Sequence, residues 1–400
     1  MPQGSLARRI PKIHLHCHLE GSLRAATFVE LARKHGVPLR YHPPFDSAQP
    51  FDSAQGDRSS FDSAQDDTHS AQGDTSSFDS AQDDTHSAQG DTHSAQGDMR
   101  SARDETRSVY AFESFQEFLY LFAAVSRSLH DPEDYARLAR EFVEDALAQG
   151  VIYGELFVSP PVWTFFNPEL DVRAAMEAVV AELRKARPRA NFALLPDLTR
   201  NFGAERAMET ARAIAEFDEL DVIGVSLGGD EARFPARLFG DVFAYARAQG
   251  LRCVAHAGEA DGAASVRDAV EILNAERIGH GIRALEDPAV VALLAQRGVA
   301  LEICPTSNRL TGAALGEHPH PYVELDRHGC RVTIDCDDPA IFGASIADEY
   351  ALVERTAGPA ALERFVRAAI AASFASGAEK RRMESAVDAA VAELPVTSRS

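Results

Sequence analysis

The 400-residue chain has no apolar run approaching the roughly 18 residues that cross a bilayer, and its first twenty residues contain no apolar secretory segment. Its five cysteines are an odd number and form no Cys-x-x-Cys pair, which argues against a disulfide framework and fits a reducing compartment. Basic residues are also scarce, since 40 Lys and Arg stand against 61 Asp and Glu, for a net charge of −21. This balance argues against nucleic acid or an anionic membrane as the main partner. We therefore expect a soluble, cytoplasmic protein.

One stretch, residues 45–98, departs from the rest of the composition. It repeats FDSAQGD and DTHSAQGD with little variation and contains no Leu, Ile, Val or Trp. Its twelve aspartates and one arginine contribute about −11 of the net charge of −21, so the remaining chain has an ordinary charge. A segment of this kind buries too little apolar surface to offset its conformational entropy. We predict a disordered, acidic, low-complexity insertion without a catalytic role.

Outside this tract, eight short apolar runs alternate with amphipathic stretches. The predicted strands are Ile13–Leu19, Gly154–Ser159, Phe192–Pro196, Val222–Leu227, Arg252–His256, Arg277–His280, Val299–Ile303 and Arg331–Ile334. The predicted helices between them include Ala175–Lys185, Ala204–Glu216, Pro235–Gln249 and Pro288–Gln296. Eight strands separated by helices are typical of a closed parallel barrel. A doubly wound open sheet is the main rival, and it is less favoured because no GxGxxG follows any of the strands. We predict a single (β/α)8 TIM-barrel domain over residues 1–400, interrupted by the insertion after the first strand.

Unusual polar residues follow four of the predicted strands. Alternation places His14, His16 and His18 on the same side of the first strand, where two imidazoles are able to hold one metal ion. The fifth strand is followed by His256 and Glu259, the sixth ends at His280, and the eighth precedes Asp337 and Asp338. Each has a simpler explanation, because lone histidines are often satisfied polar residues and a glutamate or an Asp-Asp-Pro sequence often caps a helix or forms a turn.

The position of these residues favours a metal site over the simpler explanations. Chemistry in a (β/α)8 barrel takes place where the strands end, and all four sets fall there. Three histidines and a carboxylate from three strands form a divalent-metal site with a place for water, whose pKa falls toward about 7 on binding. Glu259 and His280 remain as proton donor and acceptor. The sequence therefore predicts metal-assisted hydrolysis.

Six motifs also occur together in a familiar order: PKIHLHCHLEGSL, SLGGDE, HAGE, RIGHG, CPTSN and IDCDDP. In this order they resemble the adenosine deaminase family of the amidohydrolase superfamily, from Pro11 to about Glu354 and interrupted only by the tract. The resemblance implies hydrolytic deamination of adenosine, or a related 6-aminopurine nucleoside, to an inosine-type product and ammonia. It also implies one zinc ion per chain.

The resemblance assigns roles to individual residues. It implies four zinc ligands: His16, His18, His256 and Asp337. Glu259 would protonate the purine at N1, while His280 would orient the attacking water and take its proton. His14 falls where other members usually carry glutamate, so we expect it to support the ligands rather than bind zinc.

Further positions would bind the substrate. Asp338 would hydrogen-bond the purine N7, Gly229 would offer its backbone N–H to N3, and Glu20 would lie at the ribose end. Phe118 and Leu119 belong to an apolar helical stripe with Phe115 and Phe122, which the resemblance makes the pocket wall and which core packing explains nearly as well.

The substrate stays open between related deaminases. Glu20 stands where animal-type adenosine deaminases carry aspartate, and glutamate there occurs in bacterial adenine deaminases and aminodeoxyfutalosine deaminases. The turn from Gly228 to Glu231 resembles the nucleoside and aminodeoxyfutalosine branches more than the adenine branch. The second hypothesis is therefore an aminodeoxyfutalosine deaminase of menaquinone synthesis, and the third an adenine deaminase. A purine-binding protein without catalysis is disfavoured, because every ligand and both proton-transfer residues are present.

Overall fold

Eight parallel strands form the centre of the protein in the computed structural model, which describes residues 5–40, 109–314 and 319–393. Their bounds are β1 Lys12–His18, β2 Val151–Val158, β3 Asn191–Pro196, β4 Gly224–Val225, β5 Arg252–Ala257, β6 Arg277–His280, β7 Ala300–Ile303 and β8 Arg331–Ile334. All eight predicted strands are present. Only β4 is much shorter than predicted, because its pairing with β3 is reduced to separate single bridges.

The strands close into a ring. β1, β2 and β3 pair in parallel in that order, and so do β4 to β8. Single parallel bridges complete the circle: Leu194 pairs with Val222 between β3 and β4, and Cys17 pairs with Asp337 between β1 and the residues that follow β8. This closed parallel arrangement confirms the predicted (β/α)8 barrel. It also brings the carboxyl ends of β1 and β8 side by side.

Helices precede, connect and follow the strands. Their bounds are α1 Leu6–Arg9, α2 Ala25–His35, α3 Phe115–Arg127, α4 Pro132–Gln149, α5 Pro160–Phe166, α6 Val172–Arg184, α7 Gly203–Ile214, α8 Gly240–Ala248, α9 Ala263–Glu271, α10 Pro288–Arg297, α11 Pro305–Leu310, α12 Tyr322–Arg327, α13 Pro339–Phe342, α14 Ile346–Ala357, α15 Pro359–Ala372 and α16 Gly377–Ala392. Short 3-10 turns cover Glu20–Ser22, Arg200–Phe202, Asp218–Leu220, Ala236–Phe239 and Ile282–Glu286. The predicted helix Pro235–Gln249 is divided into the turn Ala236–Phe239 and α8.

The strands are buried on both faces, as expected of a parallel barrel surrounded by helices. All four residues of β6 and of β7 are buried. Inside the barrel, Phe157, Leu195 and Val254 form a separate apolar layer, against which Phe374 packs from the segment after α15. Such filling makes the interior a packed core rather than a pore. The polar side chains of the ring are therefore held by rigid surroundings.

Three further predictions from the sequence concern the acidic tract, the cysteines and the membrane. The acidic tract, residues 45–98, lies outside the described residues, so its disorder stays a prediction. All five cysteines are buried and free, and the absence of a disulfide framework stays a prediction from the sequence. No helix in the described ranges has the length and apolar character needed to cross a bilayer.

Candidate active site

Four side chains that were predicted to bind a metal converge at the carboxyl ends of three strands. His16 and His18 lie on β1, His256 lies on β5, and Asp337 follows β8. Their ligand atoms all lie within 4.8 Å of one another. The Nε2 atoms of His18 and His256 are 3.1 Å apart. Asp337 Oδ1 is 3.3 Å from His16 Nε2 and 3.5 Å from His18 Nε2. The structure thus brings the four predicted ligands together. We call this group of side chains, His16, His18, His256 and Asp337, the metal cluster.

The donor set fits a divalent transition metal. Three imidazole nitrogens and one carboxylate oxygen are ligands that zinc prefers. Burial lowers the pKa of His18 to about 4, and burial together with His16 lowers the pKa of His256 well below its ordinary value. Both imidazoles are therefore neutral at neutral pH, which is the form that binds metal. His16 Nε2 is buried and has no well-formed hydrogen bond to the described residues.

Carboxylates behind β1 hold His16 in the orientation of a metal ligand. The Nδ1–H of His16 donates to Glu302 Oε2 at 2.9 Å, which directs Nε2 toward the cluster. Asp335 Oδ1 accepts the backbone N–H groups of Leu15 at 2.6 Å and His16 at 3.1 Å. Burial lowers the pKa of His16, but Asp337 and Glu302 outweigh it and bring the pKa to about 10. A metal ion must therefore displace a proton from His16 when it binds.

Asp337 is fixed as an anion. Its Oδ2 accepts the hydroxyl of Ser307 at 2.6 Å. Burial opposes its ionisation, yet the neighbouring imidazoles of His16 and His280 hold the pKa of Asp337 well below the usual range. Asp337 and His280 both have positive φ angles, 64° and 61°. Non-glycine residues in this region cost on the order of 1–3 kcal/mol each, a strain that is common at functional sites.

Glu259 lies in the loop after β5 with its side chain about 10% exposed. Burial, Asp337 and Glu231 raise its pKa well above the usual range, which favours the protonated form of the carboxyl group. Its Oε2 is 3.5 Å from His280 Nε2. The loop itself is held by Glu231, whose carboxylate accepts backbone N–H groups from four consecutive residues, 258–261, at 2.5–3.1 Å.

His280 ends β6 with its imidazole buried beside the metal cluster. Burial lowers its pKa to about 3, so the ring is neutral. The Asn308 side-chain amide lies 2.9 Å from His280 Nδ1, and Asn308 Oδ1 is buried without a partner among the described residues. A half-turn of the amide presents the oxygen to Nδ1 instead, since the two amide atoms occupy nearly equivalent places. In that orientation the proton stays on Nδ1 and Nε2 is free to accept one.

Asp338 lies directly after the ligand Asp337 and precedes α13. Burial and the charge of Asp337 raise the pKa of Asp338 well above the usual range, which favours the protonated form that donates a hydrogen bond. Its Oδ1 is buried without a partner among the described residues. A Cβ atom at Gly21 would lie 1.8 Å from this oxygen. The HLEGS sequence therefore carries a glycine because the Asp338 side chain occupies the space beside it.

Glu20 is fully buried at the end of β1. Its Oε1 accepts the backbone N–H of Ser159 at 2.7 Å and the indole N–H of Trp163 at 2.6 Å. Its Oε2 has no partner among the described residues. Burial raises the pKa of Glu20 to about 7. One oxygen is thus anchored and the other remains available to a ligand, which is compatible with the predicted role in substrate binding.

Gly229 lies in the turn after β4 with a φ of 101°. A Cβ atom there would lie 2.2 Å from Asn201 Oδ1, so no other residue fits without displacing this side chain. Asn201 Oδ1 also accepts the Asp230 N–H at 2.9 Å and fixes the turn. No hydrogen bond joins the Gly229 N–H to the described part of the chain. The predicted contact with a substrate nitrogen stays a prediction.

The apolar stripe of α3 has two environments. Phe118 is buried and stacks on Phe342 of α13 at 4.9 Å between ring centroids, while Leu119 is half-buried against the core. Phe122 meets the ring of His18 edge-on at 5.9 Å. Among these side chains, Phe122 has the direct contact with the metal cluster. Phe118 and Leu119 stay predictions as pocket residues, with Phe118 packed mainly among aromatic rings.

His14 is buried outside the metal cluster. Its Nε2 is 3.2 Å from the Sγ atom of Cys336. Burial and His16 lower its pKa to about 3, so it is a neutral partner for the thiol. This position fits the prediction that His14 supports the neighbouring ligands instead of binding the metal.

Sequence reasoning did not identify the residues that hold the site from behind. These are Arg200, which donates to the carbonyl of His256 at 2.6 Å, together with Glu231, Glu302, Ser307 and Asn308. Glu231, Ser307 and Asn308 lie within the SLGGDE and CPTSN motifs. The motifs therefore marked these segments but did not indicate what the three side chains do. For Glu302, the available signal was that a charged residue stands within an otherwise apolar strand.

Comparison with known proteins shows that the chain is similar to deaminases of adenine, adenosine and aminodeoxyfutalosine. The family model described as adenosine deaminase matches residues 88–390. An adenine deaminase of Rhodospirillum rubrum is 31% identical over 94% of this chain and 95% of its own length. An adenosine deaminase of Serratia proteamaculans is 35% identical over 65% of this chain and 79% of its own. An aminodeoxyfutalosine deaminase of Streptomyces avermitilis is 35% identical over 70% and 79%.

Among solved structures, an adenine deaminase from Arthrobacter aurescens superposes with a TM-score of 0.75 at 24% identity. The superposition covers 96% of this chain and 99% of that protein. At this identity the likeness establishes the fold alone.

Proposed function

Since the chain belongs to the adenosine deaminase family and is a hydrolytic deaminase, we propose that it converts adenosine, or a related 6-aminopurine nucleoside, to the inosine-type product and ammonia with one zinc ion. The observation that carries this proposal is the meeting of four ligand atoms within 4.8 Å beside His280, whose Nε2 is 3.5 Å from the carboxyl group of Glu259. Nucleophilic attack at C6 needs a proton donor at N1 and an acceptor for the proton of the attacking water.

The residues of this chain divide that work. When bound by His16, His18, His256 and Asp337, zinc supplies a water whose pKa is lowered toward about 7. Glu259 donates its proton to N1 and makes C6 electrophilic. His280 accepts the proton of the attacking water at Nε2. Because Glu259 acts in its protonated form, kcat/KM is expected to fall as the pH rises through the pKa of this carboxyl group.

Other residues orient the purine. Protonated Asp338 is a donor for the N7 acceptor, and its unpartnered Oδ1 supports this assignment. The N–H of Gly229 has no hydrogen-bond partner among the described residues and serves N3. Glu20 has one anchored oxygen and one unpartnered oxygen, and it binds the end of the substrate away from the amino group.

Adenine is the second candidate substrate, because the adenine deaminase of R. rubrum matches this chain over nearly the full length of both proteins. Aminodeoxyfutalosine follows from the S. avermitilis relative. The three substrates share the 6-aminopurine ring and differ in what N9 carries. Their discrimination therefore depends on residues around the ribose end, of which Glu20 is the first to examine.

The test is ammonia release by the zinc-loaded full-length protein from adenosine, adenine and aminodeoxyfutalosine, assayed in parallel at equal concentrations. The expected result is the highest kcat/KM with adenosine. The highest value with either other compound would replace the substrate but keep the chemistry. The matched control is zinc-loaded Glu259→Ala, which is expected to release no ammonia. Activity in this variant, or silence of the wild type with all three compounds while zinc is bound, would contradict the proposal.

A further inference from the structure

A row of buried charges lies inside the barrel next to the metal cluster, and the proposed reaction does not use it. We call it the ion row: Glu302 on β7, Arg277 on β6 and Glu155 on β2. Each of the three side chains is at most 1% exposed. Burying an isolated charge away from water costs several kcal/mol of free energy, so each of these charges must be compensated by its neighbours.

The contacts form a continuous chain that begins at a metal ligand. Glu302 accepts the Nδ1–H of His16 through one oxygen at 2.9 Å and the Nε–H of Arg277 through the other. The far side of the Arg277 guanidinium lies 2.6 Å from Glu155 Oε2. Glu155 Oε1 in turn accepts the hydroxyl of Tyr153 at 2.8 Å and the backbone N–H of Phe374 at 2.6 Å.

Phe374 closes the row at its other end. Its ring covers the Arg277 guanidinium with 3.9 Å between the guanidinium carbon and the ring centroid. The same ring packs against the apolar layer of Phe157, Leu195 and Val254. Charge interactions are strong where water is excluded. The ion row is therefore held between a metal ligand and an aromatic side chain from the segment after α15.

The charges of the row do not balance by themselves. Two carboxylates against one guanidinium leave one excess negative charge, and Asp337 adds a second within the same buried region. A divalent cation brings the sum over Asp337 and the ion row to zero. The excess negative charge of the row therefore favours a cation at the neighbouring metal site.

We propose that the ion row is a positioning device for the metal: Glu302 fixes His16 with Nε2 toward the ion, and the excess negative charge of the row offsets the charge of the ion. This inference rests on the metal site of the proposed function but not on the identity of the substrate. None of the three residues contacts the reacting atoms.

The test measures zinc affinity instead of activity, by competition with a chromophoric chelator at fixed pH on the full-length protein. Glu302→Gln is expected to bind zinc about 10–100-fold more weakly, the usual cost of losing a partner behind a metal ligand. Glu155→Gln keeps the shape but removes the excess charge, and we expect at least about threefold weaker binding. Tyr153→Phe removes only a neutral donor to Glu155 and is expected to stay within about twofold of the wild type.

The matched control is Glu141→Gln on α4. Glu141 is also buried and paired, accepting Thr27 Oγ1 at 2.8 Å and Arg137 Nε at 3.1 Å, but it lies outside the ion row. It is expected to lower the melting temperature while leaving zinc affinity unchanged. Wild-type affinity in both Glu302→Gln and Glu155→Gln, or an equal loss in Glu141→Gln, would overturn the inference. A wild-type protein that binds no zinc would instead overturn the proposed metal site, so the two failures are distinguishable.

Discussion

Replacing Gly21 by alanine is expected to disable the active site from a position that bears no functional group. The added Cβ would lie 1.8 Å from Asp338 Oδ1 and 2.5 Å from Asp338 Cβ. Because Asp338 Cβ is also too close to the added atom, turning the Asp338 carboxyl group away does not remove the overlap. Ordinary contact begins near 3.4 Å, so Asp338 or the turn Glu20–Ser22 must move by about 1 Å. A displacement of this size costs roughly 100-fold in rate, or about 2.7 kcal/mol in the activation barrier.

The assay compares kcat/KM for ammonia release, zinc content and melting temperature between Gly21→Ala and the wild type. Overpacking also costs about 1–3 kcal/mol of stability, so a matched control is needed. Gly377→Ala serves, because its new Cβ would meet only Arg381 Nη1 at 3.5 Å at the start of α16. We expect a loss of kcat/KM in Gly21→Ala alone, with zinc still bound. Wild-type kinetics in a folded Gly21→Ala variant would refute the assignment of Asp338 to substrate binding.

Three further predictions concern proton transfer and stability. Glu259→Gln is expected to lower kcat about 10²–10⁴-fold with zinc content unchanged, because an amide cannot protonate N1. Kinetics and metal analysis of the same preparation check this. Loss of zinc would indicate a structural role for Glu259 instead. Asn308→Ala should lower kcat at least about tenfold by freeing His280, while Asn308→Asp, which keeps an acceptor near Nδ1, should recover most of it; equal loss in both would exclude positioning by this hydrogen bond. Burial raises the pKa of Glu349 from 4.5 to about 7 in the folded protein. Between these two pKa values the folded state holds a proton that the unfolded state has lost. The contribution of this group to stability is therefore lost as the pH rises from about 5 to 8. Glu349→Gln should therefore gain stability relative to the wild type on the order of 3 kcal/mol across that window in urea unfolding, and a pH-independent difference would contradict the shift.

The barrel could be predicted because each strand is short, apolar and bounded by turn residues. Such runs bury both faces in any parallel sheet, so the pattern does not depend on which neighbour a strand has. Boundaries were less certain where pairing is irregular. Val222 and Ser226 were predicted within one strand, but they form single bridges on either side of the two paired residues of β4. The predicted helix Pro235–Gln249 is divided for a similar local reason, since a 3-10 turn precedes Gly240.

The place of the metal site could be predicted because strand ends in a closed parallel barrel all meet at one face. The choice of His16, His18, His256 and Asp337 as the four ligands came instead from the resemblance to the deaminase family, since strand position alone does not separate them from His14 or Asp338. The stripe on α3 was different. Its spacing shows a buried face but does not say what that face meets, and the structure pairs Phe118 with Phe342 and Phe122 with His18.

What the sequence determined by itself is therefore the order of the elements and the residue types at the strand ends, because both follow from local periodicity and from a ring that repeats one unit. The tertiary structure alone decided the partners behind the ligands. Glu302 and His16 are 286 positions apart in the chain, and no local pattern relates them. Their contact, and the raised pKa of Glu259 beside Asp337, depend on burial and on distances between different strands, which are set only when the ring closes.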